Sequence, residues 1–248
     1  MLVEIKNLTK SYKDFKAVDI DSLNIKEGEV FGFLGPNGAG KTTTISILSG
    51  LYSKYQGDVK MFGKSIKDDS IFIKKNMGVV PQDLAIIDDL TAEENVRFFG
   101  ELYGLKGQKL KDAVQETLEF VGLWDRKKDF PPKFSGGMKR RLNIACAIVH
   151  KPKLIIFDEP TVGIDPQSRN NILETIKKLN EQGSTVIYTS HYMEEVEAIC
   201  SDICIVDHGK IIARGNKEEL KDLVKNKDGK RGSLEEVFLQ LTGRSLRD

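Results

Sequence analysis

Long apolar runs are missing from this sequence. No stretch of its 248 residues comes near about 18 consecutive apolar side chains, the length that reads as a bilayer-crossing helix. Cysteine is scarce. Cys146, Cys200 and Cys204 are the full set, an odd, low number that fits no disulfide framework and points to a reducing compartment. Charge of one sign is also missing. The 38 Lys and Arg residues nearly cancel the 37 Asp and Glu residues, so there is no overall electrostatic footprint for nucleic acid. The opening Met1-Leu2-Val3-Glu4-Ile5-Lys6 carries no apolar signal core. Cys200 and Cys204 are four apart, with His191 and His208 near them in sequence. A shared helix face and a metal site are conceivable. The spacing matches no zinc module, however, and the plainer reading is small apolar residues packed beside a strand.

The length suits one α/β domain with an embellishment, or two small domains. Leu2 to Leu8 alternates apolar and polar residues as a strand does, and Lys13-Asp14 reads as a turn between two strand-like runs. Val30 to Leu34 has the length of a buried strand, and a helix-like segment over Lys41 to Leu51 follows a glycine-rich turn. Gly57 to Phe62 and Gly78 to Val80 read as further strands. From about Thr91 to Val149 the pattern is mostly helical. Thr91 stands three residues before Glu94, as in a capping box, and Leu110, Val114, Leu118 and Val121 recur at helical spacing. Pro131-Pro132 breaks that run. Leu154 to Phe157 is a second buried strand, Ile172 to Leu179 is helical, and Thr185 to Thr189 is β-rich. Ile203 to Val206 and Ile211 to Ala213 suit a small hairpin, Lys221 to Arg231 a linker, and Leu234, Val237, Phe238 and Leu241 a short closing helix. Strands alternating with helices imply a largely parallel sheet.

Two segments carry chemistry. Gly35-Pro36-Asn37-Gly38-Ala39-Gly40-Lys41-Thr42 matches G-x-x-x-x-G-K-[ST] in full, between a predicted strand and a predicted helix. Glycines let backbone N–H groups wrap phosphate oxygens with no Cβ in the way, and the helix N-terminus adds partial positive charge. Lys41 is expected to reach the β- and γ-phosphates, Thr42 to hold Mg²⁺ and Thr43 to assist at the phosphates. A phosphate cradle also needs a metal anchor and a group that activates water. Leu154-Ile155-Ile156-Phe157-Asp158-Glu159 ends an apolar strand on two acids, at the strand end where α/β sheets bind ligands. Neighbouring strand residues point opposite ways, so Asp158 suits the Mg²⁺ anchor and Glu159 the base.

Phe134-Ser135-Gly136-Gly137-Met138-Lys139-Arg140-Arg141, lying between those two segments, resembles the L-S-G-G-Q signature of the ATP-binding cassette (ABC) ATPases. The resemblance runs from residue 1 to about 214, with further motifs in order. Gln82 resembles the family's Q-loop glutamine, which senses the γ-phosphate and the metal. Gly163-Ile164-Asp165-Pro166 resembles its D-loop. His191, after Thr189-Ser190, resembles its switch histidine, and Tyr12 its adenine-stacking aromatic. The resemblance implies ATP and Mg²⁺ as cofactors, with Thr42, Gln82 and Asp158 at the metal and Glu159, His191 and Gln82 in catalysis. It implies an α/β P-loop NTPase (RecA-like) core with an antiparallel β subdomain and an inserted helical subdomain over about 84–150. The ATPase domain would be 1–214, and 215–248 a short linker and helix. The family also implies a head-to-tail dimer, with a second copy or a paralogous ATPase, in which Ser135, Gly136 and Gly137 meet the nucleotide held by the other chain. The sequence departs from the pattern twice. Phe134 stands for the usual Leu, and Met138 for the usual Gln, whose hydrogen bonding Met lacks.

Glu159 to Pro166 and the tail Ser233 to Gly243 resemble the ABC-2 branch, whose members export drugs, antibiotics, lipids or polysaccharides through a separate membrane permease. That implies a chain held at the inner face of the cell membrane by its permease, with Leu90, Val96, Phe98 and Phe99 as candidates for the docking groove. An importer ATPase would share the chemistry. A soluble ABC protein acting on DNA or the ribosome usually has coiled-coil insertions, zinc modules or tandem cassettes, and none is seen here. Glu159 and His191 argue against a regulatory subunit without turnover.

Overall fold

The computed structural model describes residues 1–224 and 232–243. The chain runs through β1 (Val3–Tyr12), β2 (Phe15–Ile25), β3 (Val30–Leu34), α1 (Lys41–Leu48), β4 (Gln56–Met61), β5 (Lys64–Ser65) and α2 (Ser70–Lys75). Next come β6 (Met77–Val80), α3 (Ala92–Leu102), α4 (Gly107–Phe120), α5 (Gly136–Ile148), β7 (Leu154–Asp158) and α6 (Pro166–Glu181). The last elements are β8 (Thr185–Thr189), α7 (Met193–Ile199), β9 (Asp202–Asp207), β10 (Lys210–Gly215), α8 (Lys217–Asp222) and α9 (Leu234–Thr242). They fall into two units, one of Met1–Lys74 with Thr185–Asp248, the other of Lys75–Ser184.

In the first unit, β2, β1, β4 and β5 form an antiparallel sheet. Val3, Ile5 and Leu8 of β1 and Val18, Ile20, Leu23 and Ile25 of β2 are buried, each contributing roughly 1.5–3 kcal/mol on leaving water. The expected turn is present, with Tyr12 opposite Phe15 and Lys13 at φ 52. Past Leu8 the strand runs on to Tyr12 through its pairing with β2, where the alternation has ended, so β1 is longer than expected. A second set of strands has the order β10-β9-β3-β8, with β3 parallel to both β8 and β9 and β9 antiparallel to β10. All residues of β3 and β8 are buried, as befits parallel strands covered on both faces. Gly32 of β3 is closely covered, since a Cβ there would stand 3.0 Å from the Cys200 sulfur, which would have to give way by a few tenths of an ångström.

Cys200 closes α7 and Cys204 lies within β9, so the two share no helix face. All three cysteines are free and buried, and burial pushes the Cys204 thiol up to about 12. The short helices α7 and α8 have too few turns for periodicity to find. The expected linker over 221–231 begins inside α8, and its residues 225–231 lie outside the described residues.

In the second unit β6 and β7 pair in parallel, flanked in sequence by α3 to α6. The helix expected around Leu110 is α4, with Leu110, Val114 and Leu118 buried. Between β6 and α3 the chain crosses residues 81–91 without regular structure, so its backbone groups need side-chain partners. Asn95, fully buried, supplies several. Its Oδ1 accepts from the Ile87 N–H at 2.8 Å, and its Nδ2 lies within 3.0 Å of the carbonyls of Ile87, Leu90 and Thr91. Thr91 and Glu94 close the expected capping box beside it.

Asn95→Ala leaves the Ile87 N–H and the Leu90 carbonyl without their side-chain partner and removes further bonds to the Ile87 and Thr91 carbonyls, whereas Thr91→Ala removes one helix cap. Unfolding in urea at constant m-value should show Asn95→Ala destabilised by roughly 2–3 kcal/mol. Thr91→Ala should lose about 1 kcal/mol. Equal losses would contradict the role given to Asn95.

Candidate functional site

The glycine-rich loop leaves β3 buried and emerges at Asn37 and Gly38, which are exposed. Gly38 and Gly40 have φ of 78° and 100°, a region closed to most side chains. Space forbids a Cβ at two positions as well. At Gly35 it would stand 2.4 Å from the Val206 carbonyl oxygen, and at Gly40 2.2 Å from that of Ala17. Gly40 caps α1 with no side-chain hydrogen bond, and the first turn holds no acid. No capping side chain or acid therefore competes with an anion at the start of α1, where the helix dipole favours one. Lys41 begins α1 and is 5% exposed. Its Nζ donates to the carbonyls of Gly35 at 2.6 Å and Pro36 at 3.2 Å, which places an ammonium within the curl of the loop. Thr42 is exposed and Thr43 half-buried.

His191 and Tyr12 belong to the same unit. In the parallel β3–β8 pair Gly32 lies opposite Tyr188. Gly35 and His191 follow three residues after each, so both leave at the C-terminal ends of neighbouring strands. The backbone around His191 is tied down by a group that the sequence reading missed. Glu195, 2% exposed in the first turn of α7, accepts through Oε2 from Tyr188 Oη at 2.6 Å and Ser190 Oγ at 2.5 Å. Ser190 Oγ in turn accepts from the Tyr192 N–H at 2.9 Å. Tyr12, at the end of β1, is 41% exposed and meets Tyr52 edge to face, with ring centroids 6.2 Å apart. Lys10 Nζ lies 5.1 Å from the Tyr12 ring centroid. Tyr52 was also missed, because it lies far from Tyr12 in sequence.

The second unit repeats the pattern. Val80 lies opposite Phe157 in the β6–β7 pair, and Gln82 and Glu159 each follow by two residues. Asp158 and Glu159 are buried, at 9% and 8% exposure. Glu159 has φ 50°, a left-handed conformation that costs a side chain of its kind of order 1–3 kcal/mol. Such strain concentrates where a side chain must be aimed. The Gln82 side chain is exposed.

Ser135 caps α5 and accepts from the Met138 N–H at 3.3 Å. Ser135 and Gly136 are exposed, and Phe134 is buried, which accounts for an apolar residue in the usual leucine's place. Gly137 turns inward. A Cβ on it would stand 2.2 Å from Ser168 Oγ, so its smallness serves packing against the start of α6. There Asp165, of the expected D-loop, caps α6 by accepting from the Ser168 N–H at 2.9 Å. That hydrogen bond holds its carboxyl below the usual range. The signature and the D-loop are thus neighbours. Of the four candidates for a docking groove, Val96 is fully buried and belongs to the core, Leu90 and Phe99 are half-buried, and Phe98 is 45% exposed.

The family model described as "ABC transporter" matches residues 18–162. The linearmycin resistance ATP-binding protein of Bacillus subtilis (strain 168) is 52% identical over 219 residues, 88% of this chain and 70% of that protein. The Nod factor export ATP-binding protein I of Cupriavidus metallidurans is 40% identical over 221 residues, 89% of this chain and 73% of that protein. Among solved structures, an ATP-binding subunit of an ABC transporter superposes with a TM-score of 0.85 at 29% identity, covering 97% of this chain and 99% of the other. A dimeric ATP-binding cassette in a post-hydrolysis state, bound to ADP and Pi, gives 0.78 at 30% identity, covering 87% and 98%. The fold is that of the P-loop NTPases, and the chain belongs to the ABC transporter family as one of its ATP-binding, ATP-hydrolysing members.

Proposed function

We propose that the chain powers export through a separate membrane permease, and that it works as one half of a head-to-tail dimer, with a second copy or a paralogous ATPase. The observation that carries the ATPase part is the phosphate loop, with a helix start that no side chain caps, two glycines that admit no Cβ and a buried Lys41. The names of the relatives, resistance and Nod factor export ATP-binding proteins, support the export part. We assign residues 1–214 to the ATPase domain, about 84–150 to a helical subdomain and 215–248 to a short linker and helix. The chain would sit on the inner face of the cell membrane through its permease. Among the described residues no helix is long and apolar enough to cross a membrane.

In this reading Tyr12 stacks on adenine, and Gly35 to Gly40 bind phosphate oxygens through backbone N–H groups. Lys41 brings a compact positive charge to the β- and γ-phosphates. Thr42, Gln82 and Asp158 offer a hydroxyl, an amide oxygen and a carboxylate, the hard oxygen donors that suit Mg²⁺. Held there, the ion would draw charge from the phosphate oxygens. Glu159 accepts a proton from the attacking water, and His191 holds that water and the γ-phosphate. Ser135 and Gly136, exposed at the start of α5, face the nucleotide bound by the other chain. Phe98 and Leu102, 45% and 70% exposed on α3, offer an apolar surface to a permease segment.

Glu159→Gln keeps size but loses the carboxylate. Phosphate release should fall roughly 10²–10⁴-fold, the range for losing a general base, while ATP binding persists. An ATP-bound dimer should then accumulate in size-exclusion chromatography. Lys41→Ala should lose ATP binding or turnover. Wild-type rates in both variants would remove these assignments.

The signature needs a different pair of variants. Ser135→Ala and Gly136→Asp should lower turnover with the melting temperature unchanged, and Met138→Gln should change little. Gly137→Asp should lower the melting temperature, because of Ser168. Unaltered turnover in the first two would take the signature out of the reaction.

The permease surface is tested by co-purification from membranes. A multi-span protein should come down with the wild-type chain and be lost with Phe98→Glu and Leu102→Glu combined, with ATP binding intact. Recovery of ribosomes or DNA-repair factors alone would sink the transport reading.

A further inference from the structure

Helix α5 grips the loop that carries Gln82. Arg140, 5% exposed, donates from Nη1 to the Pro81 carbonyl at 2.8 Å and from Nη2 to the Gln82 carbonyl at 2.6 Å. Asn143, 2% exposed and one turn further along the same face, accepts through Oδ1 from the Ala85 N–H at 3.1 Å. Three consecutive anchor points of the loop therefore hang from two side chains of one helix.

A buried guanidinium is a poor choice for packing alone. Removing its charge from water is unfavourable, and apolar residues of similar volume often replace buried charges without loss of stability. Among the described residues Arg140 forms no ion pair, and its hydrogen-bond partners are two backbone carbonyls. Desolvation weakens its hold on the proton, and the Asp83 carboxylate opposes that effect. What Arg140 offers that an apolar residue would not is a two-pronged grip of fixed geometry on main-chain oxygens. Its Nε and the Asn143 Nδ2 are buried without an acceptor among the described residues, so each clamp residue keeps a donor in reserve.

The other end of the lever is the start of α5. Ser135 caps the helix and Arg140 lies within its second turn, a distance over which an α-helix moves as a rigid rod. We propose that Arg140 is a positioning residue that fixes the Gln82 main chain to the signature helix, so that nucleotide engaged at Ser135 and Gly136 by a second chain sets where Gln82 is held. The inference deepens the function proposed above and rests on the roles given there to Gln82 and the signature. Within one chain it links the two motifs through five residues of helix and two hydrogen bonds.

The test uses the full chain and three readouts: binding of a fluorescent ATP analogue, turnover at saturating ATP, and hydrogen exchange at the amides of 82–87. Arg140→Met should bind nucleotide as the wild type does and lose turnover roughly 10- to 100-fold, the scale of a misplaced catalytic group. Its Ala85 amide, which stays bonded to Asn143 but follows closely on the freed stretch at Pro81 and Gln82, should lose part of its protection, while the Ile87 amide, held by Asn95, keeps it. Arg140→Lys retains the charge without the fork and should recover turnover only in part. Wild-type turnover in Arg140→Met would overturn the proposal. So would loss of protection at Ile87 and through α3 together with Ala85, which would make Arg140 a packing residue. Gln82→Ala separates this inference from the reading beneath it. Full turnover in that variant would remove the role of Gln82, while freed exchange at Ala85 in Arg140→Met would still mark the clamp.

Discussion

An anion held by backbone N–H groups needs a loop whose outer side is bare and whose inner side is fixed. That requirement shapes the first unit. The inner side of the loop is pressed so hard against its surroundings that neither Gly35 nor Gly40 admits a Cβ, the obstacles being the carbonyl oxygens of Val206 in β9 and Ala17 in β2. The turn at His208-Gly209 completes the seat. The Gly209 N–H donates to the Ala39 carbonyl at 3.0 Å, and the Gly209 carbonyl accepts from the Asp19 N–H at 2.8 Å. Both sheets of that unit thus contribute main chain to one short loop. Lys41 is held inside by carbonyls of the same loop, so its charge is placed by the fold and not by the reach of a flexible side chain.

Both units use parallel strands alike. The pair β3 and β8 leads into Gly35 and His191, and the pair β6 and β7 into Gln82 and Glu159. In each pair the functional residues follow the C-terminal ends, as ligand sites of α/β sheets generally do. Beyond the strand ends, buried polar side chains fix the connecting backbone. Glu195 does so after β8, and Asn95, Arg140 and Asn143 after β6.

The motifs were legible because their chemistry needs residues adjacent in sequence. Gly35 to Thr42 and Asp158-Glu159 each form one unbroken stretch, strand β3 was readable to the residue because a buried parallel strand is a continuous apolar run, and β8 because its residues are β-branched or aromatic. The fixing residues were not legible. Glu195 looks like any acid opening a helix, Asn95 and Asn143 like ordinary polar residues on helices, and Arg140 like one of several basic residues after the signature. The partners of Asn95, Asn143 and Arg140 are main-chain groups, which carry no sequence signal, and those of α5 lie 58 or 59 residues away; Glu195 meets two hydroxyls that no motif marks. The packing of Gly137 was hidden for a related reason. Motif resemblance groups it with Ser135 and Gly136, while its neighbour Ser168 lies in another element.

The left-handed backbone at Glu159 sets stability against function at a single position. Glycine there would relax the backbone, by an amount of order 1 kcal/mol. Under the role proposed for Glu159, it would also remove the group that activates water. A library of variants sorted for heat resistance alone would therefore enrich inactive chains at this position, and only a sort that also demands turnover would keep the glutamate.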